Sequence, residues 1–437
     1  MKQKKLLYLF LLIMIALCLI TTSLFGIPAT RERVAWHIDE LILRIRYKLN
    51  PPTKPIFIPS EAGTPAALQT AQPTITSTVV ITPTETTFES PPTSMPSLTA
   101  TIPNTPIPEE IALTGVRYQD QHGRYNYCAP ANLAMALSYW GWQGNRDIVG
   151  PFLKPDEKDK NVMPYEMVDY VNNQTDLRAL ERVGGDIDLV KHFLSSSFPV
   201  LVEKGTYLRD LTGVVSWMGH YQVITGYDDS QSIFIAQDSF TKPDQIVEYD
   251  EFINAWRAFN YTYIIIYPPD KEADVISLLS DDADETTNYQ NAALIASNEV
   301  LGLTGIDQYF AWFNRGTNLM KLQDYAGAAL AYDEAFAIYP QIPENDRPWR
   351  MLWYQTGPYF AYFFVERYYD VLYLADGTLN AMQGDKNIEE SYYWRGMAKA
   401  ALGDTLGAIE DFQTSLQYHE GFEPAIYQLR LLGVEYP

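Results

Sequence analysis

The sequence predicts three parts: an N-terminal membrane helix, an α+β domain built on an antiparallel sheet, and an all-α domain of helical repeats. Three observations predict it. Leu6–Ile27 is an uncharged, largely apolar run of 22 residues near the start of a 437-residue chain. Residues 111–268 show helical periodicity first and strand patterns afterwards, the order expected of an α+β domain. From Tyr309 onward, small and aromatic residues recur at the spacing of stacked helix pairs.

Composition narrows the function. Thirty-two Lys plus Arg against 54 Asp plus Glu give a net charge of −22. Phosphate contacts need a basic face, so no nucleic-acid partner is expected. The chain holds two cysteines, Cys18 and Cys128, and five histidines, His37, His122, His192, His220 and His419. That excludes a disulfide framework and a Cys-based zinc site. No cofactor or metal is expected, and no Gly-x-x-x-x-Gly-Lys-Ser/Thr phosphate loop occurs.

Taken in order, residues 1–29 read as a membrane anchor with its helix at 6–27, long enough to cross a hydrocarbon core of roughly 30 Å. A cleaved signal peptide is the rival reading, but no small-x-small site follows. Lys2, Lys4 and Lys5 favour a cytoplasmic N-terminus, although Arg31, Arg33, Arg44, Arg46 and Lys48 follow on the other side. Residues 30–50 form an amphipathic juxtamembrane helix, with Val34, Ile38, Leu41, Ile42, Ile45 and Leu49 on one stripe. It can lie on the membrane surface, continue the anchor, or self-associate. Residues 51–110 read as a disordered stalk: the 61–110 stretch has 13 Thr, 9 Pro and no Lys or Arg. This places the globular domains on the extracellular side of a single-pass cell-membrane protein.

Within 111–268 a helix is expected over 130–140, ended by Gly141, and another after Asp186 as N-cap. Strands are expected at Phe198–Glu203, His220–Tyr227, Ser232–Gln237 and Tyr261–Tyr267. Residues 269–308 read as an acidic linker followed by a helix around 290–303.

The chemistry centres on Cys128. Pro130 suits the first turn of the helix that follows, so Cys128 lies at a helix N-terminus. Unpaired N–H groups and the dipole favour a thiolate there. A buried, inert Cys is the bland alternative. His220 opens an alternating strand, and Asp238 ends the next one, 18 residues later. A hairpin through Asp228–Ser232 brings both to one sheet edge. His220 can then take the thiol proton, and Asp238 can fix its tautomer. The competing readings are a backbone-bonded strand-end histidine and a turn-capping aspartate, with Asp228 or Asp229 as the acid if the register differs.

Three motifs, Cys128-x-Pro130-Ala131-x-Leu133-Ala134-Met135, Gly219-His220-Tyr221-x-Val223-x-x-Gly226-Tyr227-Asp228, and Asp238 one strand later, occur in order. Over residues 111–268 this resembles the bacteriocin-processing (double-glycine leader) peptidase-like branch of the papain-like cysteine peptidases. The resemblance implies an α+β papain-like cysteine peptidase domain with Cys128 as nucleophile, His220 as general base and Asp238 as orienting acid. It also implies an oxyanion-donor Gln shortly before the cysteine: Gln121, with Gln119 in reserve. Ala129 stands where the family usually has Gly, and the Gln spacing is slightly long. His122 beside Gln121 reads as an exposed loop residue.

Gly316, Ala328, Tyr332, Ala335 and Pro340 match the 34-residue tetratricopeptide pattern, and Gly396, Ala408, Phe412 and Ser415 match it again. Residues 349–382 are expected to form a degenerate middle repeat, so 309–437 is a tetratricopeptide-like domain. It offers a groove for a peptide or protein partner, or else packs over the preceding domain; the run Tyr359, Phe360, Tyr362, Phe363, Phe364 reads as core. The functional expectation is a membrane-anchored extracellular cysteine peptidase acting on a peptide or protein substrate. A catalytically silent binding module and an acyl transferase or amidase on the same triad are the alternatives.

Overall fold

The computed structural model describes residues 28–60, 107–209, 213–382 and 384–436. The apolar run at 6–27 and most of the Thr/Pro stretch lie outside these residues. Among the described residues no helix is long and apolar enough to cross a membrane. The first helix, α1, spans Pro28–Leu49, where the amphipathic helix is expected. Ile38, Leu41, Ile45 and Leu49 on it are exposed.

Residues 51–60 depart from the stalk expected of 51–110. They run extended over the repeats. Phe57 packs edge-on against Phe336, ring centroids 4.9 Å apart. Lys54 Nζ donates to the Glu344 carbonyl at 2.7 Å, and Ser60 Oγ donates to Asp370 Oδ2 at 2.8 Å. One buried aromatic contact and two hydrogen bonds remove this stretch from the disordered class. At the far end of the Thr/Pro stretch the chain re-enters as strand β1, Glu110–Ala112.

Three helices follow: α2 Cys128–Tyr139, α3 Arg146–Leu153 and α4 Pro164–Gln174. The sheet then builds from β2 Arg178–Arg182, helix α5 Ile187–Ser195, β3 Val200–Arg209, β4 Val215–Asp228, β5 Ile233–Asp238 and β6 Lys242–Glu248. Helix α6 Tyr249–Arg257 and strand β7 Tyr263–Tyr267 complete it. Strand order is β2-β7-β3-β4-β5-β6, with β1 beside the end of β4. All pairings are antiparallel. Strands β1, β2 and β6 are additions to the four expected from sequence: β1 is three residues long, and β2 and β6 carry too many charges to show an apolar pattern.

The two faces of the sheet bury separate cores. Leu133, Met135, Leu137, Leu201, Tyr221 and Val223 meet on the α2 side. Phe193, Val200, Val202, Phe234, Phe252 and Trp256 meet on the other. Helix α2 is buried along 129–138. Its Ala, Leu and Met residues are strong helix formers, and each fully buried Leu or Met contributes about 1.5–3 kcal/mol. Gly141 ends it at φ +85°. Asp186 caps α5, accepting from Leu189 N–H at 2.7 Å.

Residues 269–308 are more ordered than a linker. Helices α7 Glu272–Leu279 and α8 Glu285–Gly302 occupy most of the stretch. Val275 and Leu279 enter the sheet core, while Tyr289 and Ala292 pack on Val183. The acidic residues that suggest a linker lie at helix starts, where Asp284 accepts from Thr287 N–H at 2.8 Å.

The remaining helices are α9 Gly305–Lys321, α10 Tyr325–Ile338, α11 Met351–Tyr354, α12 Gly357–Phe364, α13 Tyr368–Ala381, α14 Glu389–Ala401, α15 Thr405–Tyr418 and α16 Glu423–Leu431. The pairs α9–α10 and α14–α15 are the two sequence-legible repeats, and α12–α13 stands between them. Asp324 and Asp404 cap the second helix of each pair in the same way, accepting from Gly327 and Gly407 N–H at 2.9 and 3.0 Å. Tyr359 and Tyr362 are wholly buried, so much of the aromatic run is core.

Gly316 lets α9 approach α10: a Cβ there would stand 2.7 Å from the Tyr332 ring. Gly396 plays the same part against Phe412, at 2.8 Å. An alanine in mid-helix gains about 1 kcal/mol of propensity over glycine, but overpacking of this kind costs about 1–3 kcal/mol. Gly316→Ala is therefore expected to destabilise the chain by about 1 kcal/mol net, read as an earlier loss of helical signal in urea. A stabilised protein would contradict the close approach.

Candidate functional site

Cys128 is the first residue of α2. The turn before it is held from several sides. Asn126 sits at φ +46°. Buried Lys154 donates to the carbonyls of Tyr125, Asn126 and Glu157. Tyr127 lies over Gly150, where a Cβ would fall 1.6 Å from its hydroxyl oxygen. A side chain at position 150 would expel that ring and move the turn. Below Cys128, Asn132 Nδ2 donates to the Cys128 carbonyl at 2.9 Å and to Ser239 Oγ at 2.8 Å.

His220 comes from β4, and Asp238 from the end of β5. The β4–β5 pairing slips between Ile224 and Gly226. The imidazole Nε2 lies 3.1 Å from Asp238 Oδ1, and the ring also hydrogen-bonds the Cys128 thiol. With Nε2 on Asp238, Nδ1 is the ring atom left for sulfur. Asp238 Oδ1 also accepts from Phe240 and Thr241 N–H at 2.8 and 2.9 Å, and its Oδ2 accepts from Gln222 Nε2. Asp228 is instead a turn residue, bonded to Ser230 and Gln231.

Electrostatics follow from this geometry. Burial pushes the His220 imidazole towards neutrality, but the charge and hydrogen bond of Asp238, with Cys128, outweigh it and hold its pKa at about 9. Burial raises Asp238, and the His220 cation, the Lys204 charge and the Gln222 amide more than reverse it, leaving the carboxyl below its usual range. The Cys128 thiol is raised by burial, yet His220 and Lys154 bring it below its ordinary value. The set thus favours a thiolate–imidazolium pair. The raised His220 pKa stabilises the fold fully below the free imidazole value of about 6.5, an advantage lost as pH rises through about 9.

Gln121 reaches the same site. Its N–H donates to the Ser239 carbonyl at 2.9 Å, and its Oε1 accepts from Ser239 Oγ at 2.7 Å. With its oxygen held by Ser239, the amide keeps Nε2 as its donor group. Gln119 does different work: its Oε1 accepts from Arg146 N–H at 2.7 Å, at the start of α3. Exposed His122 lies tilted against Phe240, ring centroids 4.9 Å apart. Cys128, His220 and Gln121 line one cavity of about 670 Å³. Among the described residues no group of three or more His, Cys, Asp or Glu is arranged to hold a metal.

The cavity also has walls outside the sheet domain. Trp353 and Tyr354 of α11 line it, as do Trp36, Leu43 and Tyr47 of α1. Sequence reading missed Asn132, Gln222, Lys154, Ser239 and the α11 residues. Asn132, one helical turn after Cys128, was visible as the polar residue on an otherwise apolar helix. Lys154 and α11 carry no motif and reach the site only through tertiary packing.

Alkylation of Cys128 by iodoacetamide is expected to reach half its maximal rate below the ordinary thiol value of about 8.5. Hydrolytic activity, where present, should fall again above about pH 9 as His220 loses its proton. His220→Ala should move the alkylation midpoint upward and slow labelling at pH 6.5 about tenfold or more, since each pKa unit is a tenfold change in thiolate. Mass spectrometry of the Cys128 peptide reads it. An unchanged midpoint would mean that His220 does not activate the thiol.

Residues 113–264 match the Peptidase C39 like family, and residues 309–342 match a tetratricopeptide repeat. No curated protein matches the chain. Among solved structures, one described as a C39-like peptidase from Bacillus anthracis is similar, at 17% sequence identity over 36% of this chain and 96% of that one, with a TM-score of 0.30. The matched segment contains the cysteine, histidine and aspartate that meet at the cavity, and the chain accordingly carries a C39-like peptidase domain followed by a tetratricopeptide repeat.

Proposed function

We propose that the protein is a membrane-anchored extracellular cysteine peptidase that hydrolyses peptide or amide bonds. The observation that carries the reading is the hydrogen-bonded chain Cys128–His220–Asp238 beside the Gln121 amide. In this reading the Cys128 thiolate attacks the scissile carbonyl carbon, and the carbonyl electrons move to oxygen. The resulting oxyanion is stabilised by Gln121 Nε2 and the Cys128 backbone N–H at the helix start. The His220 imidazolium gives its proton to the leaving amine, leaving a thioester. Water, deprotonated by His220, then releases the acid and restores the thiol. Asp238 holds the ring and its charge throughout.

In this reading the uncharged apolar run at 6–27 holds the enzyme at a membrane. The repeats contribute recognition of the substrate or of a protein partner. The observation supporting this is that α11, inside the repeat region, forms part of the cavity wall. A catalytically silent binding module is the second reading. It is favoured by α1, whose Trp36, Leu43 and Tyr47 line the same cavity and narrow the space left for a polypeptide.

The test is incubation of the full chain with a mixed peptide library, with new termini read by mass spectrometry. Cleavage abolished by Cys128→Ser supports the peptidase. Gln121→Ala should lower kcat about 10²-fold with little change in KM, the usual effect of removing one oxyanion donor. An amine acceptor that diverts the product into a new amide would identify acyl transfer instead. A fully reactive Cys128 without any cleavage or transfer would leave the silent module.

A further inference from the structure

Five of the cations that line the cavity holding Cys128 have partners. Arg124 meets Glu157 at 3.1 Å, and Lys158 meets Asp385 at 2.8 Å. Lys160 Nζ donates to the Lys158 carbonyl at 3.2 Å, Arg209 to the Gly213 carbonyl at 2.6 Å, and Arg350 to the Trp217 carbonyl at 3.0 Å. Glu203 is different. It lies on β3 directly opposite Tyr221, one register position from the Lys204–His220 pair. It lines the same cavity and is only 4% exposed. Among the described residues no cation forms an ion pair with it.

The charges that act on Glu203 are a second carboxylate, Glu181, and the Cys128 sulfur; Tyr221 stands opposite it on β4, with its hydroxyl donating to the Val162 carbonyl at 2.8 Å. Burial therefore holds its carboxyl well above the ordinary range, reinforced by Glu181 and Cys128 and opposed by Tyr221. A buried carboxyl with no counter-charge rests neutral, and a cation arriving beside it favours its ionised form. The mechanism assigns it no proton to move. It shares the cavity lining with Cys128 and with Tyr354 from α11, and it is close enough to Cys128 for the sulfur charge to act on it.

We propose that Glu203 is a specificity-determining residue, selecting a substrate whose acyl side presents an ammonium or guanidinium group beside Cys128. The inference deepens the thiol-hydrolase reading and rests on it for the word substrate. An entering cation supplies Glu203 with its missing counter-charge and loses its own hydration in exchange for a charge-assisted hydrogen bond. A neutral side chain of equal length leaves the carboxyl unmatched.

The experiment compares two disulfide-forming reagents on the full chain: cationic 2-aminoethyl methanethiosulfonate and neutral methyl methanethiosulfonate. In each, the Cys128 thiolate attacks the sulfenyl sulfur, an S–S bond forms and methanesulfinate leaves. Modification is followed on the Cys128 peptide, so Cys18 does not interfere. The cationic-to-neutral rate ratio should exceed that of free cysteine at least tenfold. Glu203→Gln should return it to the free-cysteine value, and Glu203→Asp should keep part of it. Because general thiol reactivity cancels in the ratio, a ratio equal in wild type and Glu203→Gln overturns the proposal. A matched pair of peptide amides, lysine against norleucine on the acyl side, then separates the two ideas. Turnover of both at equal rate overturns the Glu203 assignment. No turnover of either, with the reagent ratio intact, overturns the hydrolase reading and leaves the cation subsite standing.

Discussion

Trp217 is the packing contact on which the site depends. It lies on β4 three residues before His220, and it is 2% exposed. Phe259 stacks on it at 5.8 Å and Phe310 at 6.0 Å, with Tyr354 edge-on at 6.1 Å. Phe259 belongs to the sheet domain, whereas Phe310 and Tyr354 belong to the repeat region. Gly219, next to His220, admits this crowding: a Cβ there would stand 2.8 Å from Phe259 and 3.0 Å from Tyr354. The strand that presents the imidazole is thus clamped between two domains. The repeats stabilise the position of His220 by burying aromatic surface, at about 25 cal/mol per Å², without donating a group to it. Arg350 adds to the clamp through Ser216 and the Trp217 carbonyl.

Within that frame the electrostatics oppose burial at every member of the set. A thiol, an imidazole and a carboxyl in a nearly dry cleft would each prefer to be neutral. The Asp238 carboxylate is stabilised by two backbone N–H groups, an amide and the imidazole. The imidazolium is stabilised by Asp238, and the thiolate by the imidazolium, by Lys154 and by the start of α2. Glu203, on the neighbouring strand, lacks such matching, and that contrast gives it a role of its own. Charge separation here is a property of the assembled group and disappears when one member is removed.

Much of the local structure was legible in the sequence. The helix start at Cys128 and the strand end at Asp238 were legible, whereas His220, expected to open a strand, lies inside β4, whose exposed first residue and Gly219 hide its start; Gln121 came from resemblance. The pattern Gly316, Ala328, Tyr332, Ala335 identified a helix pair because only small residues permit that approach. The unpatterned strands β2 and β6 were not legible, since their charged residues hide a strand's alternation. Residues 51–60 and 269–284 were misread for a related reason, while the helix expected around 290–303 is present: polar composition describes a segment's solubility, not whether one aromatic such as Phe57, or two aliphatics such as Val275 and Leu279, finds a partner.

The sequence by itself determined which residues can do chemistry and which segments must bury a face, because residue type and period are local properties. The tertiary structure alone decided what surrounds them. It placed α1 and α11 along the cavity, set Lys154 behind the Cys128 turn, and left Glu203 in the cavity wall without a cation. Those outcomes depend on contacts between residues tens to hundreds of positions apart. No local period or propensity encodes such contacts; they are set by how the buried faces of two domains fit together.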